Sequence, residues 1–164
     1  MPKSKPLPTQ QELHEWFDYS VVTGQLYWKK KIAKKIVVGS EAGYFKDGYR
    51  QLKFKGTIYR VHRLIWKLVT GEDPGTLEID HINGDRSWNA WHNLRLATTQ
   101  QNSGNKTAYT HKISPGRYGS YQPKLRYKGK NVFVGTFKTE QEALAALKEK
   151  HLELYGEFSS YSNE

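Results

Sequence analysis

Asp80, His81, Asn93 and Asn102 form a set able to act on one substrate. Asp80 and His81 are adjacent, eleven residues separate His81 from Asn93, and eight more separate Asn93 from Asn102. Carboxylate and amide oxygens suit a hard divalent cation such as Mg²⁺ or Mn²⁺. An imidazole beside such an ion can take a proton from water near neutral pH. A hydrated cation, a general base and a basic surround are the parts needed for phosphodiester hydrolysis. The ion offsets charge developing on the phosphate and leaving oxygen, while the base makes the nucleophile. A plainer reading stands beside this one: IDHINGD is full of turn formers, and Asp80 and His81 then only decorate a turn.

For these groups to converge, LEIDHI and LRLAT must pair as antiparallel strands, with TTQQNSGNK making a helical turn or two across them. INGDRSWNAWHN between the strands reads as a turn-rich loop. Upstream, Thr9 and Glu12 have capping-box spacing and open a helix whose apolar face is Leu13, Trp16 and Phe17. QLYWKK is a short strand, KKKIAKKIVVGSEAG a strand-flanked loop, and GYRQLKFKGTIYRV a hairpin turning at Lys55-Gly56. From His62 a helix carries Leu64, Ile65, Leu68 and Val69 on one stripe, stopped by Gly71 and Pro74. Downstream, AYTHK, YQPKLRY and NVFVGTF read as three strands. Thr139 and Glu142 then cap a helix running to about Tyr155, with Leu144, Leu147 and Leu154 as its apolar seam.

Composition narrows the class. The chain has 164 residues with a net charge of +10, and the charge is unevenly placed. Residues 1–75 hold 14 Lys/Arg against 7 acids and residues 107–164 hold 9 against 6, so basic flanks enclose the neutral span that carries the chemistry. Such a balance is the electrostatic footprint of a nucleic-acid binder. With no cysteine, disulfide scaffolds, thiolate zinc sites and thiol nucleophiles are excluded. No apolar stretch approaches the roughly 20 residues of a membrane span, and the N-terminus has no apolar core of a signal peptide. The expectation is an unsecreted protein that works in the cytoplasm, of a bacterial host given the resemblance below.

The segment from Val61 to Asn105 resembles the HNH endonucleases of bacteriophages and their introns, the His-Me finger or ββα-metal nucleases. VHRLIW matches the lead-in of that family, DHINGD its Asp-His-Ile-x-Gly-Asp turn, NLRLAT its Asn-Leu-Arg-x-Ala-Thr strand, and TTQQN the following helix with its Asn. The resemblance implies that His81 is the general base and that Asp80 and Asn102 bind one divalent metal, Mg²⁺ or Mn²⁺. It implies that Asn93 braces the loop and helps orient His81, and it gives His62 a structural part. Trp88, Trp91 and His92 depart from the polar loop usual in relatives; they either pack the loop or stack on DNA, with His92 near the scissile phosphate.

Residues from about Thr107 onward resemble the plant ethylene-response-factor (Apetala-type) DNA-binding domain, on YTHK, GSYQPKLRY, YKGK, VGTF, TEQEA and LYGEF. Pro123 departs from the pattern and points to a distorted or edge strand. Such a sheet lies in the major groove, which implies DNA contacts from His111, Lys112, Arg117, Tyr121, Lys124, Arg126, Lys128 and Lys130. Alternation places Lys124 and Arg126 on one strand face and leaves Leu125 and Tyr127 for the helix side.

The expected architecture is α+β: a lead-in over residues 1–59, a ββα-metal core over 60–106, and a three-stranded sheet with one helix over 107–164. The expected function is a metal-dependent, site-selective, homing-type endonuclease acting on double-stranded DNA as a monomer or homodimer. One copy would nick one strand, leaving 5′-phosphate and 3′-hydroxyl ends. The alternatives are a DNA-binding regulator without hydrolysis and an RNA-binding or structural protein.

Overall fold

In the computed structural model, residues 6–105, 113, 115–116 and 118–162 are described. By contact the chain divides into two compact units, Met1–Leu96 and Ala97–Glu164.

In the first unit Thr9, itself extended, accepts the Glu12 amide at 3.1 Å and starts α1 (Gln10–Trp16). The Glu12 carboxylate pairs with Lys55. The next residues form the antiparallel pair β1 (Phe17–Tyr19) and β2 (Leu26–Trp28), with Phe17 opposite Trp28. A three-stranded meander follows: β3 (Tyr44–Lys46), β4 (Tyr49–Phe54) and β5 (Thr57–Arg60). Its two turns, Asp47-Gly48 and Lys55-Gly56, have positive φ at both positions, 52° and 78° in the first and 46° and 79° in the second. That is the mirror-image turn whose twist matches paired strands. The expected hairpin thus gains a third strand before it.

The helix α2 (Val61–Thr70) buries Val61, His62, Leu64, Ile65 and Leu68 and ends at Gly71, whose φ of 78° admits the left-handed stop. Val69 lies outside the buried stripe. This face joins Leu13, Phe17, Leu26, Trp28, Leu52 and Phe54 in one core, each large side chain contributing about 1.5–3 kcal/mol by burial. Phe17 packs on Trp28 and Phe54 with ring centroids 4.9 and 5.2 Å away. Then β6 (Glu78–His81) pairs with β7 (Leu94–Ala97), as the sequence pattern requires.

The second unit opens with α3 (Thr99–Gly104), capped reciprocally by Thr98 and Gln101. A Cβ on Gly104 would lie 2.3 Å from the Tyr155 ring, so glycine is required there. The strands β8 (Lys124–Tyr127) and β9 (Lys130–Phe133) form a hairpin, and Tyr121 and Phe137 bridge beyond it. The strand β8 begins directly after Pro123, which has no amide hydrogen to give a ladder. The expected first strand, 108–112, lies outside the described residues. Finally α4 (Glu140–Tyr155) carries the Thr139–Glu142 capping box in full. Its buried face is Ala143, Leu147 and His151, at i, i+4 and i+8, so Leu144 points outward and is not part of the seam. Among the described residues, no helix is long and apolar enough to cross a membrane.

Candidate active site

The last two residues of β6 are Asp80 and His81, and each is only 4% exposed. Asp80 Oδ2 accepts from Arg95 Nε on the paired strand at 2.8 Å, an ion pair that offsets part of the cost of burying the carboxylate. His81 Nε2 lies 2.9 Å from Asn89 Oδ1, in the loop between β6 and β7. The Asn89 amide nitrogen donates to Ser87 O at 3.4 Å, which turns its oxygen toward the imidazole. An acceptor on Nε2 puts the ring proton there and leaves the lone pair on Nδ1. Burial holds the His81 pKa below its ordinary value, while the Asn89 hydrogen bond and the Asp80 and Asp85 charges oppose that shift. The ring is therefore neutral at neutral pH, as a proton acceptor must be.

Asn93 fixes the loop that carries Asn89. Its Oδ1 accepts the Asn83 amide at 3.0 Å and its Nδ2 donates to Trp88 O at 2.8 Å. Asp85 closes the first half of the loop, accepting from the Ser87 amide and hydroxyl at 2.9 and 2.7 Å. Those two Ser87 bonds hold its carboxyl below the usual range.

The other half of the loop is clamped from the N-terminal hairpin. The Tyr19 hydroxyl donates to Asn89 O at 2.9 Å, and Val21 O accepts the Trp91 amide at 3.2 Å. Burial pushes the Tyr19 pKa up to about 12, so the hydroxyl keeps its proton. Gly24 lies so close that a Cβ there would fall 2.2 Å from Ala90 N. Trp91 packs on Trp66 with ring centroids 5.0 Å apart, while Trp88 and His92 meet edge to face at 4.9 Å.

His62 is also buried, 5.2 Å from the His81 ring centroid. Burial holds its pKa well below the ordinary value, and His81, Arg60 and Arg63 add to the effect. Asp80, His81 and Asn93 thus share one unit. Asn102 is on α3 in the other unit, its amide bonded to Thr98 O at 2.9 Å. Among the described residues no group of three or more His, Asp or Glu side chains gathers around one point.

Of the residues expected to touch DNA, His111, Lys112 and Arg117 lie outside the described residues. Lys124, Arg126, Lys128 and Lys130 are exposed. The register sets Lys124 and Arg126 on one face of the hairpin, with Leu125 buried behind them. Lys130 stands opposite Tyr127, so by alternation it belongs to the other face. Tyr121 packs against the core of Ile113, Leu125, Ala143 and Leu147 and is not presented with the cations. An open cleft of about 490 Å³ beside this hairpin is lined by Thr99, Gln100, Ser103, Arg126, Lys128 and Tyr155.

Asn89, Tyr19 and Gly24 are the residues that sequence reasoning missed. No solved structure matches the chain. An uncharacterized HNH endonuclease of Acanthamoeba polyphaga mimivirus is 32% identical to it over 104 residues, covering 62% of this chain and 56% of the relative. The chain therefore spans a little over half the length of that relative. Residues 59–103, the stretch that carries Asp80, His81, Asn93 and Asn102, match the family model described as HNH endonuclease.

Proposed function

We propose that this chain is a metal-dependent DNA endonuclease in which His81 is the general base. The observation that carries the reading is the buried His81–Asn89 pair beside Asp80, in the segment similar to HNH endonucleases. Asn89 holds the ring proton on Nε2, and His81 Nδ1 takes a proton from the attacking water. Asn93 keeps the loop in the path that presents Asn89. Asp80 and Asn102 would hold one Mg²⁺ or Mn²⁺: one carboxylate and one amide oxygen are hard donors, and so few protein ligands suit an ion that keeps several waters. When bound, that ion would neutralise charge on the phosphate and leaving oxygen.

On this reading one copy nicks one strand of duplex DNA and leaves 5′-phosphate and 3′-hydroxyl ends. The exposed cations Lys124, Arg126 and Lys128 support DNA contact by the second unit, in the manner of an ethylene-response-factor-like module that supplies site preference as in homing-type enzymes. The same cations favour a second reading, a DNA-binding regulator that does not cut.

Supercoiled plasmid incubated with Mg²⁺ or Mn²⁺ separates the two. Wild type is expected to give open-circular product, with none from His81→Ala or in EDTA. Equal conversion by wild type and His81→Ala removes the nuclease reading.

A further inference from the structure

Two guanidinium groups pack against one tyrosine ring beside the candidate base. The Arg60 guanidinium carbon is 4.2 Å from the Tyr49 ring centroid, and that of Arg86 is 5.2 Å away. The same ring lies 6.3 Å from the His81 ring and 5.4 Å from that of His62. Three separate segments of the first unit supply these side chains: Tyr49 starts β4, Arg60 ends β5, and Arg86 stands in the loop after β6.

Like charges avoid each other unless something compensates, and an aromatic face supplies only part of that compensation. The remaining three arginines of this unit are paired with carboxylates: Arg50 with Glu41, Arg63 with Asp73, and Arg95 with Asp80. Arg60 and Arg86 are exposed, and among the described residues neither has an ion-pair or hydrogen-bond partner. Two forked donors, held in place and left without an anion, suit a tetrahedral phosphate that accepts two parallel hydrogen bonds from each. The register extends the same sheet face. Tyr49, Gln51 and Lys53 alternate along β4, with Lys46, Arg60 and Ile58 opposite them. Lys46 and Lys53 are exposed there, as a backbone-tracking surface requires.

We propose that Arg60 and Arg86, stacked on Tyr49, bind a backbone phosphate of the DNA strand next to His81. The inference rests on the nuclease reading and adds a phosphate site in the first unit, apart from the cations of β8. Lysine offers a point charge in place of a planar fork, so Arg→Lys at these positions keeps the charge and loses the paired hydrogen bonds.

Binding measured without cutting tests this. Fluorescence anisotropy of a labelled DNA duplex in EDTA, over a salt series, compares wild type with Arg60→Ala, Arg86→Ala, the double variant and both Lys variants. The double Ala variant is expected to shallow the slope of log affinity against log salt by about 0.9, the loss of one phosphate contact, and each single Ala variant by part of that. Each should also weaken binding about fivefold or more at low salt. The Lys variants should keep the slope and bind more weakly than wild type. Tyr49→Leu, which removes the ring, should weaken binding, while Tyr49→Phe should not. A double Ala variant with wild-type slope and affinity overturns the proposal, as does a wild type that binds no duplex. His81→Ala is the separate control: if it cuts DNA as wild type does, the nuclease reading fails, and the binding series still decides the phosphate site.

Discussion

His81 Nε2 and Asn89 Oδ1 lie 2.9 Å apart, both residues almost wholly buried, at the end of β6 and in the loop that follows it. With Asn89 Oδ1 as acceptor, the ring proton sits on Nε2, so the loop position of Asn89 fixes the His81 tautomer.

Asn89→Ala removes the acceptor and frees the ring to rotate or change tautomer. The nuclease rate at saturating DNA should fall about 10–100-fold, the usual cost of losing a partner that orients a reacting group. His81→Ala should cost more, about 10²–10⁴-fold, because the base itself is gone. Duplex affinity in EDTA should be unchanged in both. An Asn89→Ala enzyme with wild-type turnover would show that the ring is oriented by something else.

Asn93→Ala tests the loop from its other end. The substitution removes the hydrogen bonds to the Asn83 amide and the Trp88 carbonyl, each contributing about 0.5–1.5 kcal/mol at these part-buried positions. Chemical denaturation should show a loss of that order, together with a loss of cutting. Asn93→Asp keeps the acceptor for Asn83 and should recover part of the stability. Equal stability of all three proteins would remove Asn93 from the bracing role.

Much of this site was legible in sequence, and the exceptions have physical causes. Adjacent Asp80 and His81 on a strand, a paired second strand and a short helix after it are local patterns, and the strands and the helix formed where they were read. Asn89 was hidden because it is one polar residue among many turn formers. Its role depends on the path of the loop, which is fixed by Tyr19, 70 residues away. Asp47-Gly48 did carry a hairpin signal, and it is where the unforeseen strand β3 turns into β4. Leu144 was misplaced because leucine spacing alone suggested a seam, whereas Ala143 and His151 complete the buried face with Leu147. Small and polar residues at helical spacing are weak signals until their neighbours are known.

Gly24→Ala reports on the clamp from the N-terminal hairpin. The glycine has a φ of 77°, and a Cβ would meet the Asn89–Ala90 backbone at 2.2 Å, so backbone must move. Stability should drop by about 1–3 kcal/mol. Cutting should fall further than the unfolded fraction explains, because the displaced segment contains the partner of His81. Tyr19→Phe, which removes only the hydroxyl bond to Asn89 O, should cost about 1 kcal/mol. If Gly24→Ala loses stability but cuts normally once folded, the hairpin supports the fold and not the site.

His62 gives the stability of the first unit an acid limb. Its folded pKa lies well below the ordinary value of about 6.5, chiefly because the ring is buried. The unfolded chain therefore binds a proton that the folded chain refuses once the pH drops below about 6.5. Stability from this group is full above that pH and declines as the pH falls, by at most about 1.4 kcal/mol per pH unit. His62→Phe cannot titrate and fills a similar space, so the difference between its unfolding free energy and that of wild type should shift in its favour from pH 7 to pH 5. Denaturant melts at pH 8, 7, 6 and 5 in EDTA read that difference directly. A difference that stays constant across the series would mean that the buried ring is protonated in the fold, against the burial and the neighbouring Arg60 and Arg63 charges that disfavour it.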